Sequence, residues 1–148
     1  AVAGENTRVD PREFTEAFHR LGERVVQVGY LPRGDYTALL GRADVVVSAA
    51  LHEFFGIAVV EAMAAGAVPV LPDRLSYPEL VPEQFHSAAL YPDGGLTARL
   101  KHVLGNLEVW RSRVEGLAGA MRQFDWSAVV NDYDLRIESL AARSAPRA

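Results

Sequence analysis

No cysteine occurs among the 148 residues. That excludes disulfides and thiolate-bound metal, and it fits a cytoplasmic protein. The four histidines, His19, His52, His86 and His102, are scattered rather than clustered, so no metal centre is expected. A Gly-x-Gly-x-x-Gly run is also missing. Gly29 and Gly34 do not make one, which argues against a nicotinamide-dependent oxidoreductase. Positive charge is scarce: 15 Lys and Arg stand against 19 Asp and Glu, for a net charge of −4. An extended nucleic-acid face is therefore not expected on this chain, although a small local anion site is compatible with that balance. Nor is there a long apolar run. The stretch from Gly56 to Pro72 is broken by Glu61, Gly66 and Pro69, whereas a spanning helix needs about 20 apolar residues. Residues 1–10 show no basic segment followed by an apolar core, so no signal peptide is expected. No repeat, low-complexity tract or dividing linker interrupts the chain.

What remains is a globular composition, 49% hydrophobic and 23% charged, at a length that suits one domain, residues 1–148. Short β-branched runs alternate with helical ones. Residues 1–3 read as the end of a strand. Asp10, Pro11 and Glu13 read as a helix start, and Phe14, Ala17, Phe18 and Leu21 share the apolar face that follows. Strands are expected at 24–28 (RVVQV), 44–48 (DVVVS), 67–71 (AVPVL) and 88–91. Helices are expected at 33–41, 57–65 with Gly66 as its C-cap, 77–80, 96–104, 108–122 and about 126–142, with a frayed tail beyond. Phe14, Phe18, Trp110 and Trp126 are assigned to packing rather than to ligand stacking. The alternation predicts an α/β fold: a Rossmann-like parallel sheet flanked by helices, with right-handed crossovers. In such sheets the ligand lies beyond the carboxyl ends of the strands, and the loop after DVVVS is one such end.

That loop carries one acid, Glu53, and the helix after it carries a second, Glu61, in the most apolar part of the chain. Gly56 lets backbone approach a ligand and opens a helix whose first amides and dipole form an anion site, suited to a phosphate or diphosphate. Glu61, about one turn in, has apolar neighbours at helical spacing: Ile57, Ala58, Ala64 and Ala65. If buried it needs hydroxyl donors, such as those of a ribose. Glu53, ahead of the helix, would face the opposite end of a bound phosphate ester and accept hydrogen bonds from a sugar. Two plainer readings stay open. Glu61 lies on a solvent-facing stripe of its helix, and Glu53 caps its own loop.

The segment HEFFGIAVVEAMAAGAVPVLP, residues 52–72, resembles the glutamate–seven residues–glutamate signature of retaining glycosyltransferases of family 4, which have the two-domain GT-B fold. GYLPRGDYTALLGRADVVVSAALHEFFG, LPDRLSYPELVP and AGEN at 3–6 are most similar to the tRNA-queuosine mannosyltransferase branch of that family. The resemblance covers about residues 3–82; Phe124-Asp125-Trp126 matches only a general aromatic opening of the C-terminal helix. It implies that Glu53 contacts the donor sugar near its reacting carbon, and that Phe54, Phe55, Gly56 and Ile57 meet sugar and diphosphate through their amides. It further implies that Glu61 holds the ribose and that Tyr30 and Leu31 pack around the nucleobase. His52 adjoins this site; the alternative is a loop histidine bonded to backbone. Tyr77 and Glu79 are assigned to the start of a short helix rather than to the border of the sugar.

The implied reaction is hexose transfer with retention from a nucleoside diphosphate sugar, GDP-mannose by branch, to an acceptor that the same branch suggests is tRNA-queuosine. No cofactor is implied beyond that donor substrate. The family's diphosphate-gripping Arg and Lys, and its acceptor-binding N-terminal domain, lie upstream of anything in this sequence. The chain is therefore expected to be an N-terminally truncated donor domain, inactive alone, and any nucleic acid would be bound through the absent domain. The alternative is a nucleotide-binding module without chemistry. One strand that the family places beside DVVVS is also missing. A separate polypeptide, a swapped neighbour or a rearranged strand order is expected to fill that edge.

Overall fold

Two small parallel sheets organise the chain in the computed structural model, which describes residues 1–3 and 12–144. Its contacts fall into two units, residues 1–42 and 43–148.

In the first unit β1 (Val2–Ala3) pairs in parallel with β2 (Val28–Gly29). Helix α1 (Arg12–Leu21) lies between them in sequence, and α2 (Arg33–Leu40) follows. Neither helix has a fully buried residue. Phe14 and Phe18 pack edge-on against each other at 5.9 Å, while Phe14 remains exposed. The capping residues expected at Asp10 and Pro11, the AGEN segment beyond Ala3 and the tail beyond Ser144 lie outside the described residues. The strand expected over 24–28 is shorter than its pattern suggested. A 3₁₀ turn takes Gly22–Arg24, and pairing starts only at Val28.

The second unit holds β3 (Val45–Val47), α3 (Ile57–Ala64), β4 (Val68–Pro72), α4 (Tyr77–Leu80), α5 (His86–Ala89) and β5 (Leu90–Tyr91). Helices α6 (Leu96–Gly105), α7 (Leu107–Arg113), α8 (Leu117–Ala120) and α9 (Trp126–Ser144) complete it. Its sheet runs β3-β4-β5, all parallel. The central strand is buried at every position, so its sequence reads as an unbroken apolar run instead of alternating. Pro69 is tolerated at its centre for a geometric reason. The Val68 amide donates to Asp44 of the β3 side, so the alternation of a strand turns position 69 toward β5. Pairing with β5 begins only at Leu71 opposite Leu90, and no ladder bond is lost at Pro69.

Helix α3 covers this sheet with Val59, Val60, Ala62 and Met63. Full burial of each of the larger three is worth about 1.5–3 kcal/mol. Tyr77, Leu80, Val81, Val103, Trp110, Leu117 and Met121 join the same core. Trp110 is buried as expected, flanked by the guanidinium groups of Arg99 and Arg113 at 4.9 and 4.8 Å from its ring. Trp126 is not in the core. It is 66% exposed and lies against Tyr133 of its own helix at 6.0 Å.

Three expectations are corrected here. The helix expected over 108–122 is broken into α7, α8 and a 3₁₀ turn, because Gly116 adopts φ 87° and restarts the chain. The strand expected over 88–91 begins only at Leu90, its first residues closing α5. And the strand order is not rearranged to cover β3: among the described residues β3 pairs with β4 alone, and Val47 is 44% exposed.

Candidate functional site

The loop between β3 and α3, residues 48–56, leaves the carboxyl end of an edge strand and must turn back into a helix. Its path is fixed at three points. The Ser48 hydroxyl is 2.7 Å from the Tyr77 hydroxyl, and the Ser48 carbonyl accepts from the Tyr91 hydroxyl at 2.8 Å. The Ala50 carbonyl accepts from Arg74 Nη2 at 3.1 Å. The Phe55 carbonyl accepts from the Ser76 hydroxyl at 3.0 Å. All of these partners come from the segment after β4 or from β5, so the adjacent strand ends hold the loop.

Gly56 closes the loop with φ 94° and ψ 41°, and no side chain caps the helix that follows. Its carbonyl takes the amides of Val59 and Val60, both at 3.0 Å. A side chain at Gly56 would be strained in backbone and short of space. A Cβ there would stand 3.2 Å from Leu80 Cδ1, 3.4 Å from Tyr77 Cε1 and 3.8 Å from Glu53 Cγ. The start of α3 thus presents uncapped amides and the positive end of the helix dipole, and Leu51, Phe54 and Ile57, close to it in sequence, have exposed apolar side chains. Phe55, also exposed, rests edge-on against Phe124 at 5.5 Å.

Glu53 is half-buried, and its Oε1 accepts the Phe54 amide at 3.0 Å. It therefore caps its own loop, as the plainer reading held, while one face of the carboxylate stays near Tyr77. The Tyr77 phenol is pushed above its ordinary pKa chiefly by burial. The Ser48 hydrogen bond and the Arg74 charge oppose that shift, and the negative charge of Glu53 adds to it. Tyr91 is raised as well, again chiefly by burial, against the lowering effect of Arg74. Two neutral phenols thus lie beneath the loop, with one cation between its strand-end anchors.

Glu61 is half-buried on α3. Its helical neighbours Ile57, Ala58, Ala64 and Ala65 are apolar but exposed, while positions 59, 60, 62 and 63 face the core. The acid therefore sits on the outward stripe of the helix, one turn beyond Gly56. His52 is exposed. Tyr30, 68% exposed, and half-buried Leu31 follow β2 in the first unit, whereas the acids and the helix start belong to the second. Tyr77 opens α4, as expected from sequence, but its hydroxyl also anchors the loop; Glu79 is exposed.

Sequence reasoning missed Ser48, Arg74, Ser76 and Tyr91. One signal was available: Arg74 is the first guanidinium after Arg42, placed just past the apolar run. No group of three or more potential metal-ligating side chains is found among the described residues. Nor is any described helix long and apolar enough to cross a membrane.

Comparison with known proteins gives a family, and relatives that include two mannosyltransferases. The family model described as glycosyl transferases group 1 matches residues 1–105. The chain is 40% identical over 83 residues to a tRNA-queuosine alpha-mannosyltransferase of Drosophila melanogaster, covering 56% of this chain and 22% of that protein. It is 27% identical over 118 residues to a GDP-mannose:cellobiosyl-diphosphopolyprenol alpha-mannosyltransferase of Komagataeibacter xylinus, covering 74% of this chain and 29% of that one. The chain thus spans between a fifth and a third of the length of the curated relatives it matches.

Proposed function

The chain belongs to the glycosyl transferases group 1 family, and from that premise we propose that it is the donor-binding part of a retaining hexosyltransferase of GT-B architecture. The observation that carries the proposal is the uncapped start of α3 at Gly56, with one acid before it and one a turn beyond it, at the carboxyl end of a parallel strand. Diphosphate oxygens meet the amides of positions 55–57, where negative charge is favoured by the helix start, while the Phe54 amide at the sugar end is held by Glu53. Glu61 accepts from ribose hydroxyls, and Glu53 from the hexose near its reacting carbon. His52 adjoins the sugar end, and the family resemblance assigns the base to Tyr30 and Leu31 of the first unit. Transfer proceeds on the face from which the nucleotide leaves; no residue is assigned as a covalent nucleophile.

The names of the two relatives favour mannose as the sugar; the second favours GDP-mannose as its donor, and the first favours tRNA-queuosine as acceptor. Because this chain is acidic overall, tRNA contacts fall to the rest of the protein, as does the strand that pairs with the open edge of β3; a neighbouring chain is the other source of that strand. Turnover is proposed for the full-length protein, and for these residues alone the reading is nucleotide binding without chemistry. The cysteine-free composition accords with the cytoplasm as its location.

A thermal-shift screen of the full-length protein with GDP, UDP, ADP and NAD tests the reading. At a hundredfold excess over Kd a nucleotide adds about 2.7 kcal/mol of stability. GDP is expected to stabilise most, and GDP-mannose to support mannose transfer. Stabilisation by NAD alone overturns the proposal.

A further inference from the structure

We propose that Arg74 is a positioning residue that sets where Glu53 stands in the donor site; the inference rests on the donor-site reading above. Arg74 follows β4 by two residues and spans three strand ends. Its Nη2 holds the carbonyl of Ala50 in the loop after β3. Its Nη1 forms an ion pair with Asp93 in the loop after β5. Its Nε is buried and without a partner among the described residues, the kind of orphaned donor that is uncommon in folded proteins.

The grip on Ala50 is placed for control. Ser48 and Phe55 are tied at the two ends of the loop. Between them, Ala50 is the position held by a charged donor, three residues before Glu53. A guanidinium is suited to this because its fixed fork serves two acceptors at once, which an ammonium on a flexible stem does not. Asp93 is itself 86% exposed, so the ion pair adds little to global stability. Its effect is to aim the guanidinium at the loop. The charge of Arg74 is also felt at the Tyr77 and Tyr91 phenols, which are the anchors of Ser48.

The test compares Arg74→Ala, Arg74→Lys and Asp93→Asn with wild type in the full-length protein. Each is read by kcat and KM for GDP-mannose, by GDP affinity, and by amide hydrogen exchange over residues 49–56 and over the core strand β4. For Arg74→Ala, kcat falls about a hundredfold, the size of effect that a misplacement of about 1 Å produces. GDP affinity changes less than about threefold, since the helix start and Glu61 do not depend on Arg74. Exchange over 49–56 accelerates while β4 is unchanged. Arg74→Lys regains only part of kcat, and Asp93→Asn shows a smaller loss of the same pattern. An unchanged kcat in Arg74→Ala overturns the proposal. So do parallel losses of kcat, GDP affinity and β4 protection, which mark a merely structural role. If wild type transfers no sugar from any nucleotide donor, the transferase reading fails by itself. Exchange then decides for Arg74: acceleration confined to 49–56 supports its hold on the loop, and no acceleration overturns it.

Discussion

A methyl group at Gly56 tests the geometry of the helix start, and a methyl at Gly116 is its control. Both glycines precede a helix, both have positive φ, 94° and 87°, and neither helix has a side-chain cap. An alanine in the left-handed region costs about 1–2 kcal/mol from backbone sterics alone. At Gly116 that is the whole expected penalty, because a Cβ there meets nothing within 4 Å. At Gly56 the Cβ meets Leu80 Cδ1 at 3.2 Å and Tyr77 Cε1 at 3.4 Å, and those side chains are 3% and 1% exposed. Neither can swing into solvent, so an overpacking cost of about 1–3 kcal/mol is added. Gly56→Ala is therefore expected to lose about 2–5 kcal/mol and Gly116→Ala about 1–2 kcal/mol, measured by urea unfolding of the full-length protein at fixed slope. A second reading is functional. Because the methyl is forced against the core, the backbone at the start of α3 must shift, and with it the amides proposed to hold the diphosphate, so GDP affinity falls at least about tenfold in Gly56→Ala, or about 1.4 kcal/mol, and stays near wild type in Gly116→Ala. Equal destabilisation of the two variants refutes the packing argument, and GDP binding untouched in Gly56→Ala refutes the assignment of this helix start as the phosphate site.

Replacing Glu61 by alanine should weaken GDP binding by about 1–3 kcal/mol through its lost hydrogen bonds; unchanged affinity in calorimetry returns Glu61 to the role of an outward helix residue. Glu53→Ala should lower kcat more than GDP affinity, and equal losses in both would remove it from the sugar end. Asp125 accepts from the Ser127 hydroxyl at 2.6 Å and the Ser127 amide at 2.8 Å, bonds that hold its carboxyl below the ordinary range. The folded value being the lower one, its contribution is full above the unfolded carboxylate pKa of about 3.9 and is lost as pH falls through the folded value. The first turn of α9 should therefore fray on acidification below about pH 4, seen as faster amide exchange at Ser127, whereas Asp125→Asn should show no such acid step; equal acid dependence in both would discard this cap.

The order of elements in the second unit was legible in the sequence because each depends on local pattern: three valines before a loop, an alanine-rich helix ended by glycine, then another β-branched run. Boundaries that depend on partners were not. Residues 24–28 carry a strand pattern, but only Val28 has a strand opposite it, Val2. Residues 108–122 carry a helical pattern, but left-handed Gly116 ends the periodicity. Local pattern also cannot distinguish a buried apolar neighbour from an exposed one. Around Glu61 the sequence shows Ile57, Ala58, Ala64 and Ala65; only the packing of Val59, Val60, Ala62 and Met63 against the sheet decides that those four face outward.

The same reasoning explains why the anchors of the loop escaped notice while the acids did not. A motif makes itself visible through spacing, and the two glutamates are close in the chain. Ser48 meets Tyr91 across 43 positions, Tyr77 across 29, and Arg74 meets Ala50 across 24. These contacts exist because parallel strands bring their carboxyl ends to one edge, so that loops remote in sequence become neighbours. A loop proposed to hold an acid steady beside a sugar needs more than its own short-range bonds: within residues 51–54 the described bond is Glu53 to the next amide, which moves with the loop. Rigidity has to come from the adjacent strand ends, and in this chain it comes from hydroxyls and one guanidinium directed at backbone carbonyls. What the acids do can be guessed from their spacing, but how firmly they are held is a property of the sheet.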